Sequence, residues 1–290
     1  MQRFIVLLSL AFFSVSAPSQ SLPLSQREAC EKFSDAVVSL YVGVTVGTGF
    51  IVSADGLMLT ANHVVRGEDG AYFGVIMVRL PDGSNAFAKP VSPLSAESIG
   101  QDYALLRIDT KKTLPFLSLG TVGDVAIGSD ATIIGFPFSA LSREGKQIST
   151  KFCLAASFAA SANEPVGVDI ANRTPKGVVT SHHSIQVDVV YFQGPSVKGL
   201  SGSPIISRDT GKVVGIVSTR LSGIGNSLEE LKTQTAQGLG GGVVISGLAP
   251  GPAINAILTV MDSQLANGLG SATGIDDPKE ALRKEQSKRK

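Results

Sequence analysis

Gly199-Leu200-Ser201-Gly202-Ser203-Pro204 is the most informative segment of this chain. Glycines on both sides of a serine let the backbone take turns that a side chain would block. In such a turn the amides of Gly199 and Ser201 can point at one oxygen, which predicts an oxyanion hole beside a hydroxyl nucleophile. The alternative is a glycine-serine loop that only closes a hairpin, because motifs of this length also occur by chance.

A serine hydroxyl needs a neighbouring base to become a nucleophile, and His63 is the histidine best placed for that work. Two apolar runs, residues 47–53 and 57–62, flank a turn at Asp55-Gly56, and His63 follows the second run. A histidine at the end of a strand is held by a rigid element, as a general base should be. The alternative is a core histidine that bonds a backbone carbonyl.

The other two histidines, His182 and His183, follow Thr180-Ser181, which predicts a polar turn before a strand. We interpret them as a solvated surface pair. No cysteine or third histidine lies near them, so the pattern does not fit a zinc site. We therefore expect no metal ion, and the chemistry outlined above needs no cofactor.

The imidazole of a general base needs a carboxylate that fixes its tautomer, and Asp102 is the candidate. It directly precedes an apolar run at residues 103–108, whereas Asp109 closes that run and is followed by a polar segment. An acid next to a buried strand can reach a buried histidine. The alternative is a turn residue at a strand edge.

The order His63, Asp102, Ser201 is the order of the chymotrypsin fold. With these residues the chain resembles the trypsin-like peptidases, most closely the peptidase domain of the HtrA group. The resemblance covers roughly residues 37–260. The blocks that carry it are Gly47-Thr48-Gly49-Phe50, Thr60-Ala61-Asn62-His63-Val64-Val65 and Asp102-Tyr103-Ala104-Leu105-Leu106.

The resemblance implies an all-β fold of two antiparallel six-stranded β-barrels with a short C-terminal helix. Many short apolar runs between Asp-Gly, glycine-rich and proline-containing breaks agree with antiparallel barrels. Barrel one is expected at about residues 37–112 and barrel two at about 128–248. By the same resemblance, residues 241–245 form the last strand and residues 252–260 the closing helix. From their polar and charged sequence, residues 261–290 are expected to be a polar, disordered tail.

The resemblance also implies a substrate wall, in which Ser218, Thr219 and Arg220 pair with the substrate backbone. Pro195 stands where an acidic pocket floor would select Arg or Lys, and Gly242 would line the opposite wall. We therefore predict a preference for small or medium apolar side chains at P1.

Three features depart from the group. Leu200 and Ser203 stand where it more often has Asn and Gly, and residues 189–198 make a longer path to the serine. The residues after the last apolar segment are also too few for the PDZ domain that the group usually carries. These departures leave open a second reading, a catalytically weak or inactive peptidase-fold protein that works as a binder or chaperone. An esterase using the same acyl chemistry also stays open.

The N-terminus has the pattern of a secretory signal peptide. Arg3 precedes an apolar run at residues 4–15, and small residues follow it. This predicts a signal at residues 1–21, a peptidase domain at 22–260, and export to the periplasm or the medium. An uncleaved anchor is the alternative, but the run is shorter than the roughly 20 residues of a spanning helix.

Charge and composition narrow the partners. The 25 Lys and Arg residues nearly balance the 24 Asp and Glu residues, so there is no electrostatic case for nucleic acid or for an anionic membrane surface. We expect polypeptide substrates and no membrane contact after signal cleavage. The oligomeric state stays open.

The two cysteines, Cys30 and Cys153, would meet an oxidising compartment after export. A disulfide between them would tie the N-terminal segment to the second barrel. Two free thiols are the alternative that the sequence leaves open. Neither cysteine has a CxxC partner, which argues against redox chemistry.

Overall fold

Antiparallel strands dominate the structure, a computed structural model. It describes residues 22–43, 45–67, 71–91, 101–137, 140–141, 147–160, 166–173, 179–218 and 270–288. The predicted fold class is confirmed, because two closed six-stranded antiparallel barrels and a short C-terminal helix are present. The predicted signal peptide, residues 1–21, lies outside the described residues.

Barrel one forms from the N-terminal half of the chain. Its strands are β1 (Val37–Val42), β2 (Thr45–Ile51), β3 (Leu57–Ala61), β4 (Ile76–Arg79), β5 (Asn85–Pro90) and β6 (Tyr103–Ile108). They are ordered β1-β2-β3-β6-β5-β4, and β4 closes the barrel on β1. Along β4, Ile76 and Val78 are buried while Arg79 is exposed, which is the alternation expected of a strand with one face on a core.

Barrel two forms from the C-terminal half. The remaining strands are β7 (Asp130–Gly135), β8 (Ala140–Leu141), β9 (Gln147–Ile148), β10 (Phe152–Ala160), β11 (Val166–Arg173), β12 (Val179–Val187), β13 (Val189–Gln193), β14 (Pro204–Ser207), β15 (Val213–Val217) and β16 (Gly270–Gly274). Six of them close in the order β10-β13-β16-β15-β14-β7, while β8 pairs with β9 and β11 with β12. Ile133, Phe158, Phe192 and Val214 fill the centre of this barrel. His182 and His183 lie within β12, so the predicted polar turn is wrong.

The C-terminal region differs from the prediction. The sixth strand of barrel two is β16, and it is followed by a helix over Asp276–Ser287, of which Leu282 is buried. The predicted disordered tail at 261–290 is therefore wrong for these residues, as is the end of barrel two near residue 248. The strand was missed because Gly270-Ser271-Ala272-Thr273-Gly274 has no large apolar side chain. Its pairing depends on backbone hydrogen bonds, and a Cβ at Gly270 would lie 2.2 Å from the Phe192 ring. The predicted strand 241–245 and helix 252–260 lie outside the described residues.

Three α-helices are described: α1 (Gln26–Phe33), α2 (Asn62–Val65) and α3 (Asp276–Ser287). Ser25 and Glu28 form a capping box at the start of α1, which satisfies amides that the helix leaves unpaired. The Cys30 side chain on α1 forms a disulfide with Cys153 on β10. The N-terminal helix is thus joined covalently to barrel two.

Candidate active site

His63 lies where barrel one meets its short helix. Strand β3 ends at Ala61, and α2 begins at once with Asn62. The Asn62 amide donates to the Asp102 carbonyl (3.1 Å), and Val64 and Val65, which follow His63 in α2, are buried. His63 is therefore fixed by backbone bonds and by burial of its neighbours, with its ring only partly exposed.

Asp102 holds the imidazole. Its carboxylate accepts from the His63 backbone amide (2.9 Å, at Oδ1) and from His63 Nδ1 (2.7 Å, at Oδ2). Among the described residues Asp102 is the only non-glycine with a positive φ, 51°. A residue in this sparsely populated conformation is strained, and such strain gathers at functional sites. The structure thus brings two of the three predicted triad residues into direct contact.

The surroundings of Asp102 favour the ionised form of its carboxyl. Burial alone would raise its pKa, but the neighbouring His63, together with hydrogen bonds from His63 and Ser218, lowers the pKa below its ordinary value. An ionised carboxylate can only accept, so Nδ1 of His63 carries a proton and Nε2 is left as the acceptor when the ring is neutral. That is the tautomer that a general base requires.

The Ser201 loop connects β13 to β14. Gly199 and Gly202 both have positive φ, 97° and 86°, which glycine adopts without steric penalty. A Cβ at Gly202 would lie 2.0 Å from the Thr48 carbonyl oxygen and 3.0 Å from the Ala61 amide. The loop therefore packs directly against barrel one. One of its contacts there is Ala61, which lies two residues before His63 in the chain.

The amides of this loop divide into two kinds. The amide of Leu200 donates to Val197 O (3.0 Å) and that of Gly202 to Val217 O (2.8 Å). Within the described residues, the amides of Gly199 and Ser201 donate to no acceptor. The Ser201 side chain also makes no hydrogen bond with another described residue, and only 8% of Ser201 is exposed.

Ser218 follows β15, and its hydroxyl donates to Asp102 Oδ2. The Ser218 backbone is also engaged, because its amide donates to Ser271 O (3.0 Å) and its carbonyl accepts from Ser271 Oγ (2.8 Å). The sequence predicted only a contact with substrate for Ser218. No local signal could have revealed its bond to a carboxylate 116 residues earlier in the chain.

The structure does not place all of the predicted pocket residues. Pro195 lies partly buried in the segment between β13 and Ser201. Thr219, Arg220 and Gly242 lie outside the described residues.

No helix in the described ranges is both long and apolar enough to span a membrane.

Comparison with known proteins gives a family-level match. The family model described as "Trypsin-like peptidase domain" matches residues 47–216, more than half of the chain. Serine protease HTRA2, mitochondrial, from Bos taurus is 32% identical over 192 residues, covering 62% of this chain and 33% of its own length. A probable periplasmic serine endoprotease DegP-like from Chlamydia trachomatis serovar D is 35% identical over 180 residues, covering 62% of this chain and 29% of its own length.

The chain spans about a third or less of the length of the first curated relatives it matches. Among solved structures, an inactive form of Rv3671c from M. tuberculosis has a TM-score of 0.51 and 17% sequence identity. That alignment covers 92% of this chain and 96% of the other. At this identity the likeness concerns the fold alone.

Proposed function

The chain belongs to the family of trypsin-like peptidase domains, as its sequence predicted, and on that premise we propose that it is an exported serine endopeptidase. In this proposal Ser201 is the nucleophile, His63 the general base and Asp102 the residue that orients His63. The observation that carries it is the 2.7 Å contact between His63 Nδ1 and the buried, ionised Asp102 carboxylate. A histidine with only a structural role in the core could bond any backbone carbonyl. It would not require an aspartate in a strained backbone conformation as its partner.

The first chemical step is attack by Ser201 Oγ on the carbonyl carbon of the scissile peptide bond. His63 Nε2 takes the serine proton and then donates it to the leaving amine, and an acyl-enzyme remains. Water then attacks the acyl-enzyme with His63 again acting as base. Ser201 Oγ and His63 Nε2 are expected to close on each other when substrate binds, because catalytic hydrogen bonds are often long in unliganded structures.

The oxygen of the tetrahedral intermediate needs donors that are not already used. The amides of Gly199 and Ser201 flank the paired amide of Leu200 and have no acceptor within the described part of the chain. We assign the oxyanion hole to these two groups. Loss of one such donor costs about 10²–10³-fold in kcat in a serine peptidase.

The substrate class follows from the relatives, whose names describe serine proteases and endoproteases. We propose polypeptide substrates with small or medium apolar P1 residues. The position of Pro195 supports this selectivity, because an uncharged residue there cannot bind the charge of Arg or Lys. Turnover of a peptide library with a strict requirement for Arg or Lys would refute it.

Export is supported by two observations. The relatives include proteins named as periplasmic, and residues 1–21 have the charge and hydropathy pattern of a signal peptide. Expression of the full chain in a bacterium, followed by fractionation and N-terminal sequencing of the mature protein, tests this part of the proposal.

The catalytic proposal is tested with a fluorophosphonate probe on the purified mature protein. Labelling should be lost in Ser201→Ala and kept in Ser203→Ala, a matched change at a buried serine two residues away. Release of peptides from unfolded casein separates an endopeptidase from an esterase. A well-folded protein that neither labels nor cleaves would favour the binder or chaperone reading.

A further inference from the structure

Thr48, on strand β2 of barrel one, touches the Ser201 loop at more than one point. The side chain is fully buried, and its Oγ1 donates to the Gly199 carbonyl (2.8 Å). The Thr48 backbone amide donates to the Ser201 carbonyl (3.0 Å). One residue of the first barrel therefore holds two carbonyls of the nucleophile loop in the second.

The Thr48 hydroxyl is itself fixed from a third side. It accepts a hydrogen bond from the amide of Phe136 (3.0 Å), the residue that follows β7. The hydroxyl proton is thereby directed at Gly199, because a hydroxyl has a single O–H donor. Its position depends on both barrels at once.

These bonds determine which way the loop amides point. The Gly199 carbonyl and the Leu200 amide belong to one peptide unit, and both of its ends are bonded, to Thr48 Oγ1 and Val197 O. The Leu200 carbonyl is held by the Ser203 amide (2.9 Å). The Gly199–Leu200 peptide unit, bonded at both ends, lies between the unpaired amides of Gly199 and Ser201. It therefore restricts the direction of one amide relative to the other.

Gly199 makes this restraint necessary. Its φ is +97°, and a glycine can leave such a conformation with little steric cost because it occupies positive and negative φ about equally well. Without the bond from Thr48 Oγ1, the Gly199 carbonyl has no donor among the described residues. The peptide would then be held only by the bond from the Leu200 amide to Val197 O.

We propose that Thr48 is a positioning residue for the oxyanion hole, whose hydroxyl holds the Gly199–Leu200 peptide so that the amides of Gly199 and Ser201 converge on one oxygen. This inference rests on the proposed function of the Ser201 site. A residue of barrel one would thus orient the two amide donors, which both belong to barrel two.

The test measures the inactivation rate constant (kinact) and the inhibition constant (KI) of a fluorophosphonate probe on four proteins. These are the wild type, Thr48→Val, Thr48→Ser and the control Thr132→Val. Thr132 is also fully buried, and its hydroxyl donates to Gln26 (2.8 Å), on the α1 side of barrel two. The control therefore removes a similar bond that does not touch the Ser201 loop.

For Thr48→Val we expect kinact to fall about 10- to 100-fold with little change in KI, because sub-ångström misplacement of reacting groups is costly in the transition state. Thr48→Ser, which keeps the hydroxyl, should restore kinact, and Thr132→Val should leave it unchanged. An unchanged kinact in a folded Thr48→Val protein would overturn the inference.

Circular dichroism melting shows whether each variant is folded. If Thr48→Val does not fold, Thr48→Ser is compared with Thr48→Cys, which replaces the hydroxyl by a thiol that is a weak donor. A lower kinact for the cysteine variant supports the inference, and equal values overturn it. Absence of labelling in the folded wild type would instead overturn the proposed function, and this inference with it.

Discussion

The Ser218 hydroxyl and the His63 imidazole donate to the same oxygen, Oδ2, of Asp102. Ser218 follows a strand of barrel two, whereas His63 and Asp102 belong to barrel one. The carboxylate that orients the proposed base therefore accepts hydrogen bonds from both barrels. Docking of the barrels thus adds a hydrogen bond that helps to lower the pKa of Asp102.

Replacement of Ser218 by alanine should lower kcat about tenfold. A hydrogen bond to a charged group contributes about 1.5–3 kcal/mol, and each 1.36 kcal/mol in a barrier is tenfold in rate. Without this donor, the buried carboxylate that faces the imidazolium has one hydrogen bond fewer to stabilise its charge. Ser39→Ala is the control, because Ser39 is fully buried and its hydroxyl has no partner among the described residues. Equal activity of the two variants would contradict the role of Ser218.

Asp102→Asn should reduce kcat by about 10⁴-fold, because an amide can hold the imidazole in the wrong tautomer. Stability gives a second readout. Since the pKa of Asp102 is lowered in the folded protein, its contribution to stability is present above the ordinary value of about 3.9 and lost as pH falls. The free energy of unfolding of the variant, from urea titrations, should thus depend less on pH below about 5. A kcat near that of the wild type would exclude Asp102 from the triad.

Gly202→Ala should prevent the Ser201 loop from docking. The new Cβ would lie 2.0 Å from the Thr48 carbonyl oxygen, in addition to the strain of a φ of +86°. Gly43→Ala is the matched control, since Gly43 has a φ of +58° and nothing within 4 Å of its Cβ position. Gly43→Ala should lose only the about 1–2 kcal/mol of left-handed strain, whereas Gly202→Ala should lose more stability and all probe labelling. Labelling of Gly202→Ala at the wild-type rate would show that the loop is not docked in this way.

Loss of the disulfide should destabilise the protein without changing its chemistry. Cys30 and Cys153 are 123 residues apart in sequence, and a cross-link over a loop of that length restricts the unfolded chain by about 4–5 kcal/mol. A double variant, Cys30→Ser with Cys153→Ser, should melt at lower temperature and still react with the probe when folded. Dithiothreitol should lower the melting temperature of the wild type and leave the double variant unaffected. A shift in both proteins would place the effect elsewhere.

Asp188→Asn should stabilise the protein at neutral pH. Burial and the nearby Asp276 raise the pKa of Asp188. Its ionisation therefore opposes folding, an effect that is absent below about pH 3.9 and grows as pH rises through the raised pKa. The gain at pH 7 should be on the order of 0.5 kcal/mol, as for exposed charge pairs, and should vanish near pH 3. Asp209→Asn, at an exposed aspartate of barrel two, serves as control. A gain that persists at low pH would mean that shape rather than charge is responsible.

The fold class and the candidate site residues could be predicted from the amino-acid sequence alone. Residues 199–204, the block that ends in His63-Val64-Val65 and the acid before β6 are each short and local. Their glycines, apolar runs and polar termini reflect backbone conformation and strand edges, which neighbouring residues dictate. That is why His63, Asp102 and Ser201 could be named before their positions in space were known.

The contacts between groups that are distant in sequence could not be predicted without the folded structure. The strand Gly270–Gly274 has no apolar signal, because its place in the barrel depends on backbone pairing with β13 and β15. The Ser218 hydroxyl reaches a carboxylate 116 residues away, and Thr48 reaches Gly199 across 151 residues. Such contacts follow from how two closed barrels dock. The sequence around a hydroxyl group does not indicate which buried acceptor the group will bond. Buried polar groups must be paired, but this requirement applies only once the chain is folded.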